Sequence, residues 1–181
     1  MKEARREAGF SYVDVMIAVT ILMVGVMAML SAITSGMVMT TTSQQQLAAK
    51  QYALSTVEAI FSARDLDTLG FDAVGNVGDA AIPGGVFLSG DRSFYSTAGP
   101  DGIIGTADDQ AGPDGVVGTS DDSPSIDGFS RQIVITDIPD PDRPAAAISL
   151  RQIEVTVAYK LGNGQNRETM TSYVANYRTK D

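Results

Sequence analysis

Residues 9–30 read GFSYVDVMIAVTILMVGVMAML, and this stretch decides the fold. It contains a single charged side chain, Asp14, and no further charge occurs before Lys50. About 20 consecutive apolar residues suffice to cross a bilayer as a helix. The stretch therefore predicts a membrane-spanning helix near the N-terminus. An unpaired carboxylate is unfavourable in hydrocarbon, so Asp14 needs a partner or a polar location.

The flanking charges predict the orientation of this helix. The nine residues MKEARREAG carry three basic and two acidic side chains. Because basic flanks stay on the cytoplasmic side, we expect a single pass through the inner membrane with the C-terminal part exported. A cleaved secretory signal is the alternative, but the apolar stretch is too long for one and no small-x-small cleavage site closes it.

Composition excludes several function classes. The chain has 13 Lys and Arg against 22 Asp and Glu, a formal net charge of −9, which argues against binding nucleic acid directly. It has no cysteine or histidine, so disulfides, common zinc sites and the commonest general base are absent. The sequence also lacks a P-loop and an SxxK motif. We therefore expect a protein that is not an enzyme.

The junction between Gly9 and Phe10 has a more specific pattern. A glycine, then phenylalanine, then an acid at the fifth position counted from Phe10 resembles the N-terminal motif of type IV pilins. This resemblance implies that prepilin peptidase cleaves between Gly9 and Phe10, removes the leader 1–9 and methylates the new N-terminal Phe10. It also implies that Asp14 pairs with the N-terminal amine of a neighbouring subunit. The family acid is usually glutamate, and the alternative is that Asp14 lies at the lipid headgroups.

The chain as a whole is similar to minor pilins and pseudopilins of the PilV-like or type II secretion I-type kind. The supporting stretches are VMIAVTILMVGVMAML at 15–30 and QIEVTVAYKLGNGQNRETMTSYVANYR at 152–178. The resemblance implies a structural subunit of a type IV pilus (fimbrium) or a type II secretion-like filament. It also implies its partners: other pilins or pseudopilins through the N-terminal helix, prepilin peptidase, the inner membrane, and a separate assembly platform and motor.

The pattern predicts one long helix over residues 10–63. Its half at 10–35 is the transmembrane and filament-core part, and its half at 36–63 is amphipathic. In the second half Leu47, Leu54 and Phe61 recur every seven residues, with Val57 between the last two. This spacing predicts an apolar stripe that packs on a sheet.

The rest of the chain completes an α+β, type IV pilin-like lollipop, in which the helix packs on a small antiparallel sheet. Residues 64–128 are rich in Gly and Asp and predict loops. Residues 129–181 predict antiparallel strands, because apolar and polar side chains alternate from Gln152 to Tyr159. Asn163 and Gly164 predict the turn of a hairpin.

A tandem repeat of 13 residues occupies residues 98–123. AGPDGIIGTADDQ is followed directly by AGPDGVVGTSDDS, with nine positions identical. Calcium prefers oxygen ligands, so we predict a calcium site formed by the acids of the two copies: Asp101, Asp108, Asp109, Asp114, Asp121 and Asp122. The EF-hand pattern is not met, and a solvated flexible loop is the alternative. A membrane-anchored calcium-binding protein that never polymerises is correspondingly the alternative function.

Overall fold

The computed structural model describes residues 11–95, 97–142, 147–162 and 164–176. Contacts divide the chain into two units, one ending at Ser43 and the other beginning at Gln44. The helices and strands are α1 (Tyr12–Asp65), β1 (Arg92–Tyr95), β2 (Ser125–Ile138), β3 (Leu150–Leu161), β4 (Gly164–Ala175), and two 3-10 turns, Phe71–Ala73 and Asp109–Ala111. One long apolar N-terminal helix and an antiparallel sheet are therefore present, as predicted.

The first unit consists of the N-terminal part of α1. It contains no proline to break the helix, and its two glycines are Gly25 and Gly36. Every residue from 11 to 41 is exposed within the structure. The predicted end of the helix near residue 63 agrees with the observed end at Asp65.

The second unit contains a four-stranded antiparallel sheet in the order β1-β2-β3-β4. In β3 the side chains of Ile153, Val155, Val157 and Tyr159 are all buried, as the alternating pattern predicts, but the intervening Thr156 and Ala158 are buried as well. The β3–β4 hairpin pairs Leu161 with Gly164. Asn163, the other residue of the predicted turn, lies outside the described residues.

The apolar stripe predicted on the helix is confirmed at Val57, which is buried in the core, but is wrong at Leu47 and Leu54. Leu47 is 58% exposed and Leu54 is 44% exposed, and Phe61 is only partly buried. The buried face of the helix carries mostly small side chains: Ala49, Ala53, Thr56, Val57, Ile60 and Ala63. Successive helical residues are about 100° apart, so Leu54 points away from the face that contains Ala53. Small residues suit this face because the sheet and the following loops contribute the larger core side chains.

The interpretation of residues 64–128 as loops alone is also wrong. This region contributes β1, which pairs with β2, and β2 begins at Ser125, before the predicted start of the strands at residue 129. It also contributes apolar side chains to the core: Leu69, Phe71, Val74, Ile82 and Phe87. These residues are unevenly spaced along the sequence, so they form no helical or strand period that sequence inspection detects.

Buried polar side chains attach these segments to the sheet. Arg151 in β3 donates hydrogen bonds to the carbonyls of Phe71 and Val74 and pairs with Asp137 at 2.7 Å. Asn76 donates to the carbonyl of Ile133 and accepts the N–H of Ile135, each at 2.8 Å. Asn76 thus satisfies backbone groups of Ile133 and Ile135, which lie beyond the part of β2 that pairs with β1.

The packing of α1 leads to a first prediction. Ala53→Leu should lower the free energy of unfolding by about 1–3 kcal/mol, because the added side chain overpacks a buried site. The adjacent change Leu54→Ala is the control and should cost less, because Leu54 is 44% exposed. Denaturation of the full-length protein in detergent measures both. An equal loss in the two variants would show that the Ala49–Ala53 face is not the packed one.

Candidate functional sites in the apolar helix and the tandem repeat

The first candidate site is the exposed apolar surface of α1. From Tyr12 to Ile33 most of its side chains are Val, Ile, Leu or Met, and these are 46% or more exposed. At 1.5 Å per residue, residues 12–43 extend about 48 Å. The helix is therefore long and apolar enough to cross a membrane. A surface of this size requires lipid or other apolar helices to cover it.

The hydroxyl groups in this segment are compatible with an apolar environment. Thr20, Thr34 and Thr40 each donate a hydrogen bond to the carbonyl four residues earlier, at 2.8–2.9 Å. A hydroxyl satisfied by its own helix needs no water. The threonines therefore do not oppose insertion among lipid tails or other helices.

Asp14 has a local role that sequence inspection did not identify. Its Oδ2 accepts the backbone N–H of Ser11 at 3.2 Å, while Ser11 Oγ accepts the N–H of Val13 at 3.4 Å. This arrangement is a capping box at the start of α1, and the spacing Ser-x-x-Asp at 11–14 was the available signal. The predicted processing residues Gly9 and Phe10 lie outside the described residues.

The second candidate site is the tandem repeat, whose two copies form separate loops with the same conformation. In the first copy, the N–H of Asp101 donates to Asp108 at 3.1 Å, and the Thr106 hydroxyl donates to Asp108 at 2.7 Å. The equivalent bonds in the second copy, to Asp121, have the same lengths. In each copy the backbone N–H of the first apolar residue, Ile103 or Val116, donates to the aspartate two residues earlier. The N–H of the next glycine, Gly105 or Gly118, donates to the aspartate four residues later.

Glycine is required where each loop closes on itself. A Cβ on Gly99 would lie 2.4 Å from the carbonyl oxygen of Asp108, and one on Gly112 would lie 2.1 Å from that of Asp121. Both distances are far below a real contact, so the glycine at the second position of each copy is structurally required. The acids of the repeat thus hold the loop together by accepting backbone N–H groups.

The first copy is docked on the sheet through an ion pair. Asp109 Oδ2 lies 2.9 Å from a guanidinium nitrogen of Arg131, and each side chain is 3% exposed. The guanidinium also lies over the ring of Phe94, 4.9 Å from its centre. Ile103 is buried in the core beside this pair. Arg131 was not among the predicted site residues, because nothing in the sequence around this arginine indicates that it pairs with Asp109, 22 residues earlier.

Burial dominates the titration of this pair. Burial raises the pKa of Asp109, against the opposing effects of the Gly105 N–H and the Arg131 charge. Burial likewise lowers the pKa of Arg131, although Asp109 opposes the shift. Each partner therefore depends on the other to remain charged in the interior.

The second copy lacks this docking. Val116 and Val117 are 55% and 58% exposed, whereas Ile103, the equivalent of Val116, is 6% exposed. Asp122, the equivalent of Asp109, is partly exposed and accepts the N–H of Gly118 at 2.7 Å. The two copies thus share a conformation and differ in what they contact.

The calcium prediction stays a prediction. Within the described part of the chain, no group of three or more Asp, Glu, His or Cys side chains is placed to hold a metal ion. Asp108 and Asp121 are held by threonine and backbone donors of their own loops. Asp109 is paired with the guanidinium of Arg131, which occupies the place of a cation beside this carboxylate.

A cavity of about 220 Å³ lies next to the docked loop. Its lining includes Arg92, Tyr95, Thr106, Asp109 and Arg131. Asp109 is the one carboxylate in this lining, and it is engaged by Arg131 and by the Gly105 N–H. Both contacts are made by Oδ2, whereas the buried Oδ1 of Asp109 has no hydrogen-bond partner among the described residues.

No protein-family model, curated protein or solved structure matches this chain.

The ion pair generates a second prediction. Asp109→Asn should lower the free energy of unfolding by about 3–5 kcal/mol, because Arg131 keeps its buried charge without a counter-ion. Asp122→Asn makes the same chemical change in the undocked copy and should alter stability by no more than about 0.5 kcal/mol. Denaturation of both full-length variants in detergent tests this. Similar losses in the two variants would mean that docking by Arg131 does not distinguish the copies.

Proposed function

We propose that this protein is a structural subunit, a minor pilin or pseudopilin, of a type IV pilus or type II secretion-like filament. It is inserted in the inner membrane as a single-pass protein, processed by prepilin peptidase at Gly9–Phe10, and then packed into a filament through α1. The observation that carries the proposal is the exposed apolar helix that begins with one carboxylate, Asp14. A separate assembly platform and motor drive polymerisation, because the sequence has no P-loop.

A helix that served only as an anchor would use Asp14 as its N-terminal cap, a role that needs an oxygen acceptor but no charge. Lipid covers the apolar side chains equally well without Asp14, and a different residue at that position could leave the apolar segment unchanged. In a filament, a neighbour's N-terminal amine compensates the acid in a low-dielectric helix bundle. The pairing also fixes the axial position of one helix against the next, which an assembly requires and an anchor does not.

Processing of the N-terminus provides the first test. Mass spectrometry of the native protein should find a mature chain that begins at an N-methylated Phe10. Gly9→Val should block cleavage and leave the long form in the membrane, because a branched side chain crowds the peptide bond to be cut. The control, Ala8→Val, places the same side chain one residue earlier and should still be processed. Residues 1–9 on the native protein would refute the proposal.

Asp14 provides a test that separates charge pairing from helix capping. Asp14→Asn keeps an oxygen that can accept the Ser11 N–H but removes the charge, so a cap survives while an ion pair does not. We expect at least about tenfold less variant in sheared filaments relative to the membrane pool. Asp14→Glu keeps the charge and should incorporate. Normal incorporation of Asp14→Asn would assign Asp14 to capping alone.

A further inference from the structure

We propose that the second repeat, residues 111–123, is a docking loop that binds an arginine-bearing β-strand of another polypeptide. It would bind this strand in the way that the first repeat, residues 98–110, binds β2. This inference rests on the tandem repeat and does not depend on the proposed filament function.

The first repeat identifies the ligand of this loop. Its acid Asp109 binds the guanidinium of Arg131, a residue of β2. Its glycine Gly105 lies against the strand and its neighbours: a Cβ there would be 2.5 Å from Ile133 and 3.2 Å from Phe87. Ile103 adds a buried apolar contact. The loop therefore recognises an arginine with an apolar side chain two residues further along the same strand.

The second repeat presents the same groups without a ligand. Among the described residues, nothing lies within 4 Å of a Cβ placed on Gly118, the equivalent of Gly105. Val116 is exposed where Ile103 is buried. Asp122 Oδ2 is positioned by the Gly118 N–H at 2.7 Å, as Asp109 Oδ2 is by the Gly105 N–H at 2.8 Å. The recognition surface is already formed, so binding requires little ordering of the loop.

Charge supports an arginine as the occupant. Asp114, Asp121 and Asp122 lie in one short exposed or partly exposed loop that has no basic residue between 111 and 123. The apolar pair Val116–Val117 lies in the same loop. A guanidinium on an apolar strand satisfies both features, whereas a hydrated lysine ammonium or a small cation would leave the valines exposed.

The first experiment asks whether the sequence of the second repeat binds such a strand. The variant I103V/I104V/A107S/Q110S gives the docked position the sequence of the second copy. It should fold, and adding Asp109→Asn should lower its melting temperature by at least about 6 °C, the same loss that we expect from Asp109→Asn in the unmodified full-length chain. A folded variant in which Asp109→Asn has no effect would overturn the proposal. Failure of the variant to fold would overturn it as well, because the two sequences would not be interchangeable.

The second experiment looks for the partner strand. A photo-cross-linking amino acid replaces Val117 in the full-length protein in its native cells, and the adduct is mapped by mass spectrometry. We expect an adduct within two residues of an arginine on a β-strand of another polypeptide. Asp122→Asn should reduce its yield at least about tenfold, and the charge-matched control Asp127→Asn should not.

The outcomes of the cross-linking experiment are distinct from those of the filament tests. An adduct that persists in Asp122→Asn, or that maps away from arginine, would refute the docking proposal, as would the absence of any adduct. None of these results alters the N-terminus found by mass spectrometry or the incorporation of Asp14→Asn.

Discussion

The constraint on which this molecule depends is that the apolar part of α1 must leave water. Residues 11–41 are exposed throughout the structure, and the threonines among them satisfy their hydroxyls internally. Such a surface is stable only in lipid or among similar helices. Lipid and a bundle of apolar helices are two environments that meet this requirement. Asp14, near the start of the segment, is its one charged side chain.

In the second unit, arginines attach irregular segments to regular ones. Arg151 binds the carbonyls of the 71–74 turn, and Arg131 binds the first repeat loop. Arg64, near the end of α1, reaches the carbonyls of Leu69 and Ala175. A region rich in Gly and Asp offers few apolar groups for packing, so charge-assisted hydrogen bonds supply the connections. These contacts explain how a segment without apolar periodicity can contribute to the core.

Features with a local physical cause were predictable from the sequence. The uninterrupted apolar run predicts α1, and the alternation from Ile153 predicts β3. Features that depend on residues far apart in the sequence were not predictable. Leu54 has the right spacing for a packed stripe, but the buried face of the helix is the one that contains Ala53, and Leu54 lies outside it. Asp109 was predicted as a calcium ligand because its nearest acids are visible in sequence, whereas Arg131 approaches only in the folded chain.

The tandem repeat separates what a loop sequence determines from what its surroundings determine. The matched hydrogen bonds of Asp108 and Asp121 show that the conformation is encoded within each copy. The burial of Ile103 and the exposure of Val116 show that docking on the sheet is not encoded within each copy. Docking requires a strand with an arginine and apolar neighbours, and the first copy meets this requirement at Arg131 of β2. A loop that forms its binding surface before any ligand is present retains that surface in both copies. The second copy is consequently a preformed surface rather than an unstructured insertion. Its acids and valines suit a partner strand that, like β2, carries an arginine next to apolar side chains.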